Sequence, residues 1–238
     1  MNPITNPYAP GAGCKPPALA GRYALREKVR IGLARLLGGR QAKSVIMVGL
    51  RGVGKTVLLN QMQQDADASG IYTIYIEAPE ERSLPALLAP QMRLTLLRLS
   101  RVESAKEYAI RGLRALAGFV SGLKLSYADI EVGLDYEPEA GLADNGDLES
   151  DLSELVKQVG VAARMANTAV VIFIDELQYV AEKEMAALIS ALHRASQAQL
   201  PITVIGAGLP QLRGRAGNAK SYAERLFDYP EIGPLDQT

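Results

Sequence analysis

Eight consecutive residues have the composition of a loop that binds phosphate groups. They run Gly49-Leu50-Arg51-Gly52-Val53-Gly54-Lys55-Thr56 and follow the pattern G-x-x-x-x-G-K-[ST], known as Walker A. Glycines let the backbone turn tightly without a side chain that would block an anion. The backbone N–H groups can then converge on phosphate oxygens, helped by the positive end of the following helix. In this pattern the lysine reaches the β- and γ-phosphates and the threonine hydroxyl ligates Mg²⁺.

A second pair of chemically capable residues follows an apolar run. Residues 170–174 are all apolar and predict a buried strand, and Asp175-Glu176 come directly after it. Such a strand can end in an ordinary acidic turn. In a chain that also has a phosphate loop, however, the pattern is that of Walker B, because open parallel sheets bind ligands at the carboxyl ends of their strands. We expect Asp175 to hold Mg²⁺ through water and Glu176 to polarise the water that attacks the γ-phosphate.

The residue pair also bears on which nucleotide is bound. A glutamate directly after the Mg²⁺-binding aspartate favours ATP hydrolysis, and a small-molecule kinase has no need of it. A GTPase would carry an Asn/Thr-Lys-x-Asp guanine reader, but the segment Asn218-Ala219-Lys220-Ser221 lacks the aspartate. The sequence therefore favours ATP over GTP.

Strands and helices alternate along the chain in the order that a phosphate loop requires. Apolar periodicity and terminal glycines predict helices over residues 25–37, 57–69, 83–100, 104–122, 148–166 and 183–196. Short β-branched runs predict strands over residues 44–48, 71–77, 169–174 and 202–206, with a fifth over 232–235. This alternation predicts a three-layer α/β fold with a central, mostly parallel five-stranded sheet.

Two segments depart from that alternation. Residues 1–20 are rich in proline and predict an extended leader before a core over residues 21–238. Residues 123–137 alternate polar and apolar types, which predicts a β-hairpin inserted in the core.

Composition limits the classes of function. The 238 residues are 48% hydrophobic and carry 26 basic and 26 acidic side chains, so the net charge is zero and no general nucleic-acid coat is indicated. The single cysteine, Cys14, excludes an internal disulfide. No apolar run approaches the length of a membrane span and no signal peptide is evident, so we expect a cytoplasmic protein without a membrane partner.

These motifs, in this order, resemble the AAA-type ATPases, and most closely the branch that contains the origin-recognition initiators and the STAND-like bacterial and archaeal ATPases. The resemblance spans most of the chain and rests on five segments, at residues 19–25, 48–56, 172–178, 204–210 and 223–227. It implies a P-loop fold that binds ATP and Mg²⁺.

The resemblance also implies roles for particular residues. It assigns catalysis to Lys55, Glu176 and Arg225, the last as an arginine finger before the final strand, and Mg²⁺ binding to Thr56 and Asp175. Gly21 and Arg22 match a segment that lies near the adenine, although Tyr23 replaces the acidic residue of that segment. Together with these two, the expected nucleotide contacts are Gly49, Leu50, Arg51, Gly52, Val53, Gly54, Lys55, Thr56 and Val57.

The chain departs from the family pattern in two places. Members of the family carry a polar sensor residue after the fourth strand. This chain has Gly206-Ala207-Gly208 at that place, and Gln211 is only a weak substitute. We also expect the helical lid and any C-terminal domain of the family to lie outside this chain.

Two functions remain open at this point. The first is an ATPase whose cycle drives a conformational change or self-association, and the second is a nucleotide-dependent adaptor or DNA-associated module with little turnover. Basic residues concentrated over 91–114 can form a solvated face or a surface for nucleic acid or an acidic partner. Any DNA or protein partner is expected to act through regions outside this chain.

Overall fold

The computed structural model describes residues 21–78, 80, 82–124, 136–221 and 223–234. Within these residues the helices are Tyr23–Leu37 (α1), Lys55–Ala68 (α2), Leu84–Leu99 (α3), Lys106–Leu123 (α4), Leu148–Met165 (α5), Glu182–Gln197 (α6), Leu212–Ala219 (α7) and Ala223–Leu226 (α8). The strands are Ser44–Val48 (β1), Tyr72–Glu77 (β2), Val170–Asp175 (β3), Ile202–Gly208 (β4) and Phe227–Asp228 (β5). Short 3₁₀ turns occupy Glu103–Ala105 and Leu177–Tyr179.

All five strands run parallel in the order β2-β3-β4-β1-β5. Strand β4 therefore lies between β1, which leads into the phosphate loop, and β3, which ends in Asp175. The register pairs Val48 with Gly208 and Ile174 with Gly206. Because parallel strands present their carboxyl ends at one edge, the loop after β1 and the carboxylates after β3 meet at the same edge.

Helices cover both faces of the sheet, as the predicted three-layer fold requires. One face carries a core to which α1 and α2 contribute Val29, Leu58 and Met62. The other face carries a larger core, built with residues of α3 to α6. The strands β1, β3 and β4 are buried along their whole lengths, which explains why their sequences are apolar rather than alternating.

The position of the last strand was predicted wrongly. The fifth strand is Phe227–Asp228, paired with Ser44 and Val45, and not residues 232–235. Farther along, the Val48 N–H donates to the Pro230 carbonyl and the Ile232 N–H donates to the Val48 carbonyl. Because Pro230 has no N–H to donate, the segment after α8 pairs with β1 in two short stretches instead of one continuous strand.

The predicted hairpin over residues 123–137 lies largely outside the described residues, but its expected start is wrong. Leu123 is the last residue of α4 and is buried. It extends the apolar face that Leu116 and Val120 present at helical spacing. The predicted leader over residues 1–20 also lies outside the described part of the chain, and no helix that the structure describes is long and apolar enough to cross a membrane.

A buried carboxylate fixes the loop that precedes α5. Asp151 is fully buried, and its carboxylate accepts hydrogen bonds from the Asn145 N–H (3.1 Å), the Asn145 side-chain amide (3.0 Å) and the Gly146 N–H (2.8 Å). Asp147, by contrast, caps the start of α5 by accepting from the Ser150 N–H at 2.8 Å.

We expect Asp151→Ala to lower the free energy of unfolding by roughly 2–4 kcal/mol, because it removes three hydrogen bonds to a buried charged group. The control Asp147→Ala removes only a helix cap and should cost about 1 kcal/mol. Urea denaturation of both variants measures the difference. Equal losses in the two variants would contradict the structural role given to Asp151.

Candidate nucleotide-binding site

The phosphate loop connects the end of β1 to the start of α2. Gly52 and Gly54 adopt left-handed backbone conformations, with φ of 80° and 87°. Residues with a side chain rarely adopt these angles, which explains why the loop needs glycine at both positions. Lys55 and Thr56 then begin α2, two residues earlier than the predicted start of that helix.

Gly49 anchors the beginning of the loop. Its N–H donates to the Gly208 carbonyl at 3.1 Å, which ties the loop to the end of β4. A Cβ atom at Gly49 would lie 2.3 Å from the Ile232 carbonyl oxygen. The loop is therefore held between β4 and the segment after β5, with no space there for a side chain.

The Lys55 ammonium group folds back into its own loop. Its side chain is buried, and Nζ donates to the carbonyls of Gly49 at 2.9 Å and Leu50 at 2.8 Å. These two neutral acceptors keep the buried charge hydrogen-bonded. Phosphate oxygens would make stronger, charge-assisted bonds to the same group.

The two carboxylates after β3 lie in different environments. Asp175 is buried, and one of its oxygens accepts from the Glu176 N–H at 2.9 Å. Glu176 is half-buried and holds a left-handed backbone with φ of 52°, which costs a non-glycine residue about 1–2 kcal/mol. This left-handed residue follows the last residue of β3 and precedes the 3₁₀ turn Leu177–Tyr179.

The residues expected to bind Mg²⁺ fit that ion. Thr56 offers a hydroxyl from the first turn of α2, and Asp175 offers a carboxylate at the end of β3. Magnesium favours oxygen ligands, takes only one or two carboxylates from the protein and completes its shell with water and substrate phosphates. The donor set is therefore adequate for Mg²⁺ bound together with a nucleotide.

Sequence reasoning gave no role to Tyr75, which the structure places against Asp175. Tyr75 lies on β2 and hydrogen-bonds to the Asp175 carboxylate, and its pKa is strongly raised, first by burial and then by the charges of Asp175 and Glu77. The hydroxyl therefore stays protonated and donates to Asp175. Only the pairing of β2 with β3 brings the two residues together.

Two arginines connect the phosphate loop to its surroundings. Arg51 donates to the Tyr179 hydroxyl at 2.8 Å, which links the loop to the turn after Asp175-Glu176. Arg22 donates to the carbonyls of Val53 and Gly233. The structure thus places Arg22 beside the loop, with Gly21 next to it in the chain, while the predicted contact of both residues with the nucleotide stays a prediction. Leu50 is exposed, while Val53 and Val57 are half-buried on either side of the last loop glycine.

A cavity of about 270 Å³ adjoins the start of the loop. Its walls include Gly49, Pro210, Arg213 and Tyr229. The Tyr229 hydroxyl is buried and makes no hydrogen bond within the described part of the chain, and burial raises its pKa to about 12. A more apolar groove of about 330 Å³ lies under α1 near the start of β1, at the opposite edge from the phosphate loop.

The remaining predicted residues lie away from the phosphate loop or lack polar groups. Arg225 is exposed on α8, directly before β5. The end of β4 carries no polar side chain of its own, and Gln211 is exposed at the start of α7. A polar side chain from another element, that of Gln178, reaches the end of β4, where its amide oxygen would lie 2.7 Å from a Cβ atom at Gly208.

The comparisons with known proteins agree with this geometry. The AAA ATPase domain family matches residues 18–205, which is most of the chain. The chain belongs to this family. Its members are ATPase domains, so ATP binding and ATPase activity are properties of the family to which this domain belongs. Among curated proteins, none gives a significant match.

Two solved structures have a similar fold. One is the Orc1 protein of Aeropyrum pernix in complex with DNA, with a TM-score of 0.51 and 15% identity over 93% of this chain. The other is Cdc6p of Pyrobaculum aerophilum, with a TM-score of 0.50 and 16% identity over 95% of this chain. The chain spans 47% and 48% of the lengths of those two proteins, respectively. At these identities the similarity concerns the fold alone, and it agrees with the predicted α/β fold.

We expect Lys55→Ala to weaken ATP binding by about 10- to 100-fold, because it removes hydrogen bonds between a cation and phosphate oxygens. Lys43→Ala is the matched control, since Lys43 is exposed at the other end of β1. Equilibrium titration of both variants with ATP measures the effect. Equal affinities for Lys55→Ala and the unmodified protein would remove Lys55 from the binding site.

Proposed function

We propose that this domain binds ATP with Mg²⁺ at the phosphate loop and hydrolyses it, and that the cycle drives a conformational switch or self-assembly. The observation that carries the proposal is the meeting of two elements at one sheet edge. The phosphate loop after β1 and Asp175-Glu176 after β3 lie on either side of the end of β4. This arrangement separates the phosphate-binding groups from the proposed base by one strand.

Each residue has a distinct task in this proposal. The N–H groups of the loop and Lys55 hold the phosphates, and the left-handed glycines keep those N–H groups exposed. Glu176 accepts a proton from the attacking water, since a carboxylate oriented toward the γ-phosphate can act as a general base. Bound Mg²⁺, held by Thr56 and Asp175, would neutralise charge on the phosphate oxygens.

Tyr75 and Arg51 support these groups in the proposal. The Tyr75 hydroxyl holds Asp175 from the β2 side. The contact between Arg51 and Tyr179 links the phosphate loop to the turn after β3. A nucleotide that displaced Arg51 from Tyr179 would change the turn after β3, which offers one route from binding to a conformational response.

A nucleotide-dependent adaptor with little turnover is the second candidate. The feature that favours it is the apolar end of β4, where family members carry a polar sensor. If the domain is an adaptor, the unmodified protein should bind ATP and should hydrolyse it no faster than its Glu176→Gln variant. Measuring both ATP affinity and the steady-state rate of hydrolysis separates the two candidates, because an adaptor binds ATP with little turnover and an ATPase does both.

We also propose a cellular location and partners for the domain. We propose a cytoplasmic location, in keeping with a single cysteine, and self-association through the face that carries Arg225. One similar structure was determined in complex with DNA, and DNA is therefore a partner to test. The basic segment on α3 and α4 is a weak candidate for that contact, because Arg111 is already paired with Glu139 at 3.1 Å.

We expect Glu176→Gln to keep ATP affinity within about threefold while slowing hydrolysis by about 100-fold or more, since it removes a base and preserves shape. The control Glu182→Gln makes the same change at an exposed residue at the start of α6. Affinity by titration and hydrolysis by phosphate release are the two measurements. A loss of affinity that matches the loss of turnover would make Glu176 a structural residue.

We expect Arg225→Ala to bind ATP normally and to lose at least about 100-fold in turnover, because an arginine finger stabilises charge on the neighbour's γ-phosphate. Activity per subunit of the unmodified protein should then rise with its concentration. Arg40→Ala, an exposed arginine after α1, is the control.

Mixing two inactive variants decides whether Arg225 acts between subunits. Arg225→Ala supplies an intact phosphate loop, and Lys55→Ala supplies an intact arginine. Recovery of hydrolysis in the mixture is the expected result. Normal turnover of Arg225→Ala alone would reduce Arg225 to a surface residue.

A further inference from the structure

The end of β4 is shaped to receive a side chain from another element. Gly206 and Gly208 flank Ala207 in the last three residues of β4. The Gly208 carbonyl also accepts the hydrogen bond from the Gly49 N–H of the phosphate loop. A Cβ atom at Gly206 would lie 2.2 Å from the Leu177 side chain, and one at Gly208 would lie 2.7 Å from the Gln178 amide oxygen. The missing side chains on β4 therefore make space for Leu177 and Gln178 after β3, and for Leu212 of α7, whose side chain would lie 2.3 Å from a Cβ atom at Gly208.

Gln178 uses that space to join β4 to Glu176. Its side chain is 8% exposed. The amide oxygen accepts a hydrogen bond from the Leu209 N–H at 3.2 Å, and the amide nitrogen donates to the Glu176 carboxylate. The orientation of the amide follows from these partners, because the opposite orientation would set its NH₂ group against the Leu209 N–H and its oxygen against a carboxylate.

Arg215 holds the backbone on which Gln178 sits. Its guanidinium donates to the carbonyls of Gln178 and Val180, the latter at 3.0 Å. Arg215 lies on α7, so the turn after β3 is tied to the helix that follows β4. Gln178 is thus fixed at its backbone by Arg215 and at its amide oxygen by Leu209, which leaves the amide nitrogen as a rigid donor.

We infer that Gln178 is the positioning residue for the Glu176 base, and that it supplies from the turn after β3 the polar group that β4 lacks. This inference rests on the proposed hydrolysis of ATP. The donated hydrogen bond holds one carboxylate oxygen of Glu176, which restricts a flexible side chain and leaves the other oxygen to accept the proton from water. The base is thereby placed relative to β4 and, through the Gly49–Gly208 contact, relative to the phosphate loop.

The test begins with Gln178→Glu, which has nearly the same shape and still accepts from the Leu209 N–H. It cannot donate to Glu176 and places a second negative charge beside it. We expect ATP affinity within about threefold of the unmodified protein, a melting temperature lowered by the second buried carboxylate, and single-turnover hydrolysis slowed by at least about tenfold. Gln197→Glu makes the same change at an exposed residue at the end of α6 and should leave the rate unchanged.

A second variant guards against unfolding of the first. Gln178→Met preserves the length and packing of the side chain and removes both hydrogen bonds of the amide. It should slow single-turnover hydrolysis to a similar extent while ATP still binds. Full hydrolysis by a folded Gln178→Met or Gln178→Glu protein would overturn the inference.

A double-mutant cycle tests whether Gln178 acts through Glu176. In a Glu176→Gln background, the further change Gln178→Glu should cause no additional loss of hydrolysis rate. Independent, multiplicative losses would overturn the inference and would mean that the amide acts on the nucleotide directly. An unmodified protein that binds ATP without hydrolysing it would instead refute the proposed ATPase function, so the two failures are distinguishable.

Discussion

The parallel pairing of β3, β4 and β1 is the constraint on which the site depends. Hydrogen bonds between these strands set the register that pairs Ile174 with Gly206 and Val48 with Gly208. That register brings the phosphate loop, the end of β4 and Asp175-Glu176 to one edge at matching heights. A slip of one residue would turn every side chain of a strand to the opposite face, so the buried faces of these strands also protect the geometry of the site.

The charged side chains of the site are held in place by hydrogen bonds to neutral backbone and amide groups. Lys55 donates to two carbonyls of its own loop, Asp175 accepts from the next backbone N–H, and Glu176 accepts from an amide. Each of these bonds keeps a buried or half-buried polar group satisfied. A nucleotide with its metal ion would replace neutral contacts by charged ones, and this exchange provides a favourable free energy of binding without a large rearrangement.

The sequence was sufficient for the parts of the fold that have a strong local signal. The strand, loop and helix around Gly49 to Thr56 lie within two residues of their predicted bounds, because the glycine pattern and the apolar runs specify them locally. The last strand was misplaced because Phe227–Asp228 is too short for any periodicity and exists only through pairing with β1. The alternation of Leu123 with Leu125 predicts a strand, whereas burial places Leu123 on the apolar face of α4.

The supporting residues of the site could not be predicted in the same way. Gln178 and Tyr75 gain their roles from contacts with Leu209, Glu176 and Asp175, and those contacts depend on the order β2-β3-β4 in the sheet. The glycines at 206 and 208 were interpreted as the loss of a polar group, but in three dimensions they admit one from a neighbouring turn. Helix α7 was missed because its eight residues include two glycines, and buried residues occur only at Leu212 and Ala216.

Calorimetric titration of the unmodified protein with ATP and with AMP, both in Mg²⁺, is the most direct test of the central claim that the loop after β1 binds the nucleotide through its phosphates. Because the proposal assigns Lys55 to the outer phosphates and Thr56 to the metal ion, we expect one site per chain and an affinity for ATP at least about 100-fold higher than for AMP. Equal affinities for the two nucleotides, or the absence of ATP binding, would contradict it.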